Sequence, residues 1–255
     1  MTRFDLTGKT ALVTGGAYGL GRALALGLAE QGAQVVITAR SVDKLAETLE
    51  ELNEIGDGHC MIIGDLTSDE IYDEIGALER VDIVVHNAGG DPHSKPWPQQ
   101  TAQEWRDTYE INVIAGMRLA QLLTPAMIER GWGRIINISS IYGILGQDPT
   151  ATSGQSGAGA YTAAKHGVIG LTKYLAAQIS HTGVTVNAIS PGMISWRPTK
   201  PGSHGGVRES NANRTPVKRN GQPDDFVGAV VYLASESSAF TTGANLVIDG
   251  GWSVW

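Results

Sequence analysis

In "GAYTAAKHG" (159–167) Tyr161 stands four residues ahead of Lys165, and none of the other six tyrosines has a lysine at that spacing. Four residues make about one helical turn, so the two side chains share a face. A phenol beside an ammonium suits proton transfer. Free tyrosine titrates near pH ~10, and bringing it to ~7 needs roughly 4 kcal/mol in favour of the phenolate. One cation at ~4 Å in an effective dielectric near 20 supplies about that much. Lys165 at this spacing could therefore nearly bring the Tyr161 phenol into that range alone, though the pair by itself is a weak signal whose meaning depends on what surrounds it. The plain alternative is an amphipathic helix start with a surface lysine. Upstream, "INISS" (136–140) offers two adjacent hydroxyls, Ser139 and Ser140, which a strand points to opposite sides.

A second cluster lies near the N-terminus. "TGGAYGLGRALALGLAEQG" places Gly15, Gly19 and Gly21 where a β-branched run gives way to a helical pattern. Glycines at such a turn permit positive φ and let the backbone touch a pyrophosphate at the helix N-terminus. The spacing is G-x-x-x-G-x-G, not the usual dinucleotide G-x-G-x-x-G.

Seven short apolar runs must position these groups: 10–14, 34–39, 60–64, 81–86, 134–139, 184–190 and 245–250. Helical stretches at 19–31, 41–55, 101–130, 160–181 and 224–235 alternate with them. Nearly continuous apolar strands imply a sheet covered on both faces. The expected class is α/β, a Rossmann-type doubly wound parallel sheet forming a single domain over residues 1–255. Two polar, glycine-rich segments, 146–159 and 196–223, break the rhythm and read as loops at one sheet edge.

Composition bounds the function. The 255 residues carry a net charge of -7, which argues against a general nucleic-acid surface. With one cysteine, Cys60, no internal disulfide can form, which fits a reducing compartment. The N-terminal "MTRFDLTGKT" has no apolar signal core and no uninterrupted apolar run reaches bilayer-spanning length, so a cytoplasmic chain without a membrane partner is expected. The histidines (His59, His86, His93, His166, His181, His204) show no H-x-x-x-H pair, and no metal site is expected.

Taken in order, "TGGAYGLG", "HNAG" (86–89), "INV" around Asn112, "INISS", "YTAAK", "SPG" (190–192) and "VIDGG" (247–251) resemble the short-chain dehydrogenase/reductase family, in its compact branch of about 250 residues. The resemblance covers nearly the whole chain. It implies that Tyr161 is the general acid/base and that Lys165 lowers its pKa and holds the nicotinamide ribose. It implies further that Ser140 holds the substrate oxygen and that Asn112 anchors a water-mediated proton relay. By the same resemblance the cofactor is lined by Gly15, Tyr18, Gly19, Leu20, Gly21, Asp65, Leu66, Asn87, Ala88, Gly89, Pro191, Gly192 and Ile194, with Tyr161 and Lys165. The second strand ends in Ala39-Arg40 and lacks the carboxylate that holds a free ribose, which favours NADP(H) over NAD(H) through Arg40.

The chain departs from the family pattern at several places. Ser140 and Tyr161 are 21 residues apart where about 13 is usual, which places an insertion in 146–159. Position 86 is His where Asn is common, a variation tolerable at a strand end. Trp196 stands where a threonine commonly meets the carboxamide, so Ser195 or the backbone of Ile194 must serve, and Trp196 is free to stack on substrate. The expected substrate lid, about 193–223, includes a stretch (196–219) with Arg197, Lys200, Arg208, Arg214, Lys218 and Arg219 against one acid, Glu209.

That charge points to a small polar, anionic or sugar-like substrate, with Ser140, Tyr161, Trp196 and Arg197 touching it; a solvated loop is the alternative. The expected activity is oxidoreduction of an alcohol/carbonyl pair. A 3-oxoacyl-thioester reductase is the alternative within enzymes, and a non-catalytic NADP-binding sensor the alternative outside them. The apolar end with Trp252 and Trp255 suggests a subunit contact in a homo-oligomer, tetramer or dimer, or else a tail folded over its own core.

Overall fold

The computed structural model describes residues 3–93, 95–147, 158–195 and 211–254. Seven parallel strands form one sheet in the order β3-β2-β1-β4-β5-β6-β7: β1 Thr10–Thr14, β2 Gln34–Ala39, β3 Cys60–Ile63, β4 Ile83–His86, β5 Gly133–Ile138, β6 Val184–Pro191 and β7 Asn245–Ile248. All seven expected strands form, within one or two residues of their expected ends. The continuous apolar runs have a direct cause. Val13, Ile37, Val85 and Ile136 pack on one face against α1 (Gly19–Glu30) and α7 (Val227–Ala234), through Leu24, Leu28, Val230 and Leu233, with Phe226 just ahead of α7 in the same cluster. Their neighbours Leu12, Val36, Val84 and Ile135 pack on the other, against α3 (Glu70–Gly76) and α5 (Ala115–Glu129), through Ile71, Leu119 and Met127. Both side-chain sets are buried, so no polar alternation survives.

Two helices differ from expectation. The stretch read as one helix over 101–130 comprises α4 (Ala102–Tyr109), a π turn (Glu110–Ile114) and α5. Its N-terminus carries a full capping box between Thr101 and Glu104. The composite helix Ala102–Glu129 is long and apolar enough to cross a bilayer, yet Ala115, Leu119, Leu123 and Met127 are buried in the core. The 224–235 stretch begins as a 3-10 turn at Pro223–Phe226, before α7. The remaining helices are α2 (Val42–Ile55) and α6 (Gly159–Ile179), the latter carrying Tyr161 and Lys165.

Because the strands are parallel, their C-terminal ends share one edge. Registry of Val13 with Val85, and of His86 with Asn137, brings Thr14, Asn87 and Ser139–Ser140 together there. The sheet order reverses between β1 and β4, which is where doubly wound folds open a crevice for ligands.

Candidate active site

A cleft of about 1100 Å³ runs along this edge. Its floor is the β1–α1 turn. Gly15 has φ +66°, a left-handed conformation costly for other residues, and Gly19 repeats it at +59°. A Cβ on Gly21 would fall 2.2 Å from the Gly15 carbonyl oxygen, so nothing larger than glycine lets the helix approach the strand this closely. Tyr18, at the N-cap of α1, makes no side-chain cap there. The first amides of the helix therefore face the cleft unclaimed by a cap, as a phosphate site requires.

Asn87 locks the turn: its Nδ2 donates to the carbonyls of Thr14 (2.9 Å) and Gly15 (3.2 Å). Thr14 Oγ1 in turn accepts from the amides of Asn87 (3.1 Å) and Ala88 (3.0 Å). Sequence reasoning did not single out Thr14, although a hydroxyl at a buried strand end just before a glycine turn was the signal.

At the outer end, Asp65 Oδ1 accepts from the amide and hydroxyl of Thr67 (3.0 and 2.9 Å), which shapes the turn after β3. Its other oxygen pairs with Arg40 at 3.4 Å; the Arg40 side chain is 80% exposed and can swing to an incoming anion. Lys44, also missed in the sequence, lines the cleft beside Arg40 and lies over the Tyr18 ring at 4.8 Å. Leu20, Leu66, Ala88, Gly89, Pro191, Gly192 and Ile194 also line the cleft. Ile194 bridges to Gly221, and Ser195 is occupied, its amide on Gly221 and its Oγ accepting from Asn220.

At the inner end, α6 and the β5 terminus converge. Ser139 Oγ donates to the Lys165 carbonyl at 2.9 Å and is spent on the helix. Ser140 Oγ accepts from the Tyr142 amide and is hydrogen-bonded to Tyr161, so it is the serine of the pair that meets the phenol. Lys165 is buried; its Nζ donates to the Ile138 carbonyl at 2.9 Å and lies 5.4 Å from the Tyr161 ring centroid.

The titration of this pair differs from the sequence expectation. Burial pushes the Tyr161 phenol up to about 12, against a lowering by Ser140, with Tyr142 and Asp91 adding to the rise. Burial also pulls the Lys165 ammonium down to about 7. Desolvation therefore outweighs the attraction of the lysine, which burial itself leaves only partly charged near neutrality.

Asn112 is fully buried in the π turn. Its Nδ2 donates to the carbonyls of Gly90 and Thr108 (2.8 Å each), and its Oδ1 accepts from the Gly90 amide at 3.1 Å. These bonds tie the π turn to the β4 loop. His86 lies beneath, buried, its pKa lowered to about 3 by burial and then by Lys165; it is neutral. Of the lid cations, Arg219 is tied to Asp225 (2.5 Å), Lys218 donates to the Asn213 carbonyl and Arg214 lies over Trp252 at 5.0 Å. None of these three lines the cleft. Trp196, Arg197, Lys200, Arg208, Glu209 and most of the 146–159 insertion lie outside the described residues, as does Trp255.

Known proteins agree with this geometry. The family model described as enoyl-(acyl carrier protein) reductase matches residues 15–253. A 3-oxoacyl-[acyl-carrier-protein] reductase of Vibrio harveyi is 38% identical over 252 residues, 97% of this chain and 98% of the relative. The 2-dehydro-3-deoxy-D-gluconate 5-dehydrogenase of Bacillus subtilis is 37% identical, covering 98% and 96%. A gluconate 5-dehydrogenase of Burkholderia cenocepacia, solved with NADP and tartrate, superposes with TM-score 0.87 at 31% identity, over 99% of this chain and 98% of its own. The chain belongs to the short-chain dehydrogenase/reductase family. It is an oxidoreductase of the class that moves hydride between a nicotinamide cofactor and an alcohol/carbonyl pair.

Proposed function

We propose that this enzyme uses NADP(H) to interconvert a secondary alcohol and a ketone on a small polar substrate, with Asn112, Ser140, Tyr161 and Lys165 as its catalytic group. The observation that carries the proposal is Tyr161, hydrogen-bonded to Ser140 and one turn ahead of a buried lysine, at the inner end of a glycine-floored cleft.

The residues fit the cofactor. The Gly15–Gly21 turn and α1 amides would hold the pyrophosphate, and Arg40 with Lys44 the 2′-phosphate. Asp65 and Leu66 would meet the adenine, and Asn87–Gly89, Pro191–Ile194 and Lys165 the nicotinamide nucleoside. When bound, the nicotinamide supplies or accepts the hydride. Ser140 holds the substrate oxygen beside the phenol. A neutral Tyr161 is the proper acid for protonating a developing alkoxide. Lys165, charged below its pKa of about 7, stabilises the phenolate left behind. Asn112 holds the Gly90 loop and the π turn against this group, where a water relay would end.

The acyl-carrier reductase relatives support a second reading, reduction of a 3-oxoacyl thioester. We further infer a cytoplasmic homotetramer. Initial rates on a panel of polyols, sugar acids and 3-oxoacyl thioesters, read at 340 nm with NADP⁺/NADPH and NAD⁺/NADH, test the proposal. Turnover with NADP(H) on hydroxylated substrates is expected. Cofactor binding without turnover on any of them would favour the sensor.

A further inference from the structure

Two threonines stand side by side at the cleft edge of the sheet. Thr14 ends β1, and Thr38, one residue short of the end of β2, is its partner in register. Parallel register puts both side chains on one face of the sheet. Both are buried, Thr14 at 0% and Thr38 at 1% exposure. Their hydroxyls fare differently. Thr14 Oγ1 accepts from the Asn87 and Ala88 amides and lies 3.5 Å from the Val85 carbonyl oxygen. Thr38 Oγ1 has no hydrogen-bond partner among the described residues, yet Thr38 lines the cleft.

A hydroxyl buried without a partner is held at a cost, and valine would fill the same strand position with the same shape and no polar atom. The surroundings say what such a hydroxyl can serve. The Thr38 carbonyl accepts from the Gly15 and Gly16 amides (2.7 and 3.2 Å), so the glycine turn is seated directly on this residue. The Gly64 amide, just ahead of Asp65 and Leu66, bonds to the next carbonyl, that of Ala39, at 3.1 Å. Arg40 follows at the rim. The substrate end is remote: β2 is three places from β5 in the sheet, roughly 14 Å at the usual strand spacing. A threonine hydroxyl both donates and accepts, so it can pair with a ribose hydroxyl or with a nitrogen of a purine ring.

We infer that the Thr38 hydroxyl is a binding contact for the adenosine half of the dinucleotide, the half that NADP(H) and NAD(H) share. It sets affinity for both cofactors alike, whereas Arg40 at the rim distinguishes them. This rests on the cofactor reading above and adds a residue to that site.

The test compares wild type with Thr38→Val, which removes only the hydroxyl, and Thr38→Ser, which keeps it. NADPH and NADH Kd values come from fluorescence titration, that of 5′-AMP from competition, and thermal midpoints are taken without ligand. Thr38→Val is expected to weaken all three ligands about tenfold, the equivalent of ~1.4 kcal/mol, while melting no lower than wild type. Thr38→Ser is expected to bind each within threefold of wild type. The opposite signs matter, since a hydroxyl with a merely structural role would cost stability when removed and leave the affinities alone. Unchanged affinities in Thr38→Val, a loss confined to NADPH, a serine variant as weak as the valine one, or a valine variant that melts lower or fails to fold overturns the inference. Wild type that binds none of the three ligands overturns the cofactor reading itself.

Discussion

The two ends of the cleft are built differently. The outer end is backbone: Gly21 brings α1 close to the Gly15 carbonyl, and Asn87 and Thr14 tie that turn to its neighbouring strand. Its charged groups, Arg40 and Lys44, stand at the rim. The inner end is side chain. Tyr161 and Lys165 come from α6, Ser140 from just past β5, and Asp91, His93 and Asp107 from the β4 loop and α4, with Ser140 and Asp91 both acting on the Tyr161 phenol. A backbone site accepts a shared cofactor and tolerates little change. A side-chain site can be re-specified one residue at a time, which is how one family serves many substrates on one fold.

This contrast is open to direct attack. Tyr161→Phe removes the proton donor and leaves the outer end intact. A loss of at least about 10³-fold in kcat/KM is expected, within the range that acid–base groups contribute, with the NADPH Kd inside threefold of wild type by fluorescence titration. Gly21→Ala strikes the other end. The new methyl overlaps the Gly15 carbonyl, and denaturant unfolding should show a loss of ~1–3 kcal/mol, accompanied by weak binding of NADPH and NADH alike. Arg40→Ser should raise the NADPH Kd about tenfold, as expected for one charge-assisted contact at ~1.4 kcal/mol, while barely moving that for NADH. Equal weakening of both would place the 2′-phosphate elsewhere.

A subtler effect concerns Lys165. Burial lowers its pKa to about 7 in the folded chain, from an ordinary value of 10.5. Between those values the unfolded state binds more protons, so its contribution to stability rises with pH from about 7 and is at its least favourable below 7. Lys165→Met, which cannot titrate, should therefore be more stable than wild type at pH 6, by about 1 kcal/mol or more. The gap should close towards pH 10, as read from denaturant midpoints across pH. A gap that grows with pH would show that the ammonium is not held at a cost.

The sheet and the glycine turn were legible in the sequence because their causes are local. A strand buried on both faces has to be apolar along its length, and the turn needs glycine at fixed places. The Tyr161–Lys165 pair was legible for the same reason, as neighbours on one helix. The direction of the Tyr161 pKa was not, because it depends on how deeply the surrounding chain encloses the phenol. The π turn was hidden too, since its Asn112 bonds to Gly90, 22 residues upstream, a pairing that no local pattern signals. The His93–Asp107 contact escaped notice for a like reason. His93 and Asp107 lie 14 residues apart and meet only when the β4 loop folds back on α4. The basic run at 196–219 was conspicuous in the sequence, yet its described members Arg214, Lys218 and Arg219 bond to their own neighbourhood instead of the cleft.

All of this depends on where the oxygen of Tyr161 lies once the dinucleotide is seated. A crystal structure with NADP⁺ decides it. The phenol oxygen is expected within roughly hydrogen-bond reach of Ser140 Oγ and of a substrate oxygen poised over the nicotinamide ring, with Lys165 Nζ on the ribose. A phenol turned from the nicotinamide, with another titratable group in its place, would contradict the account.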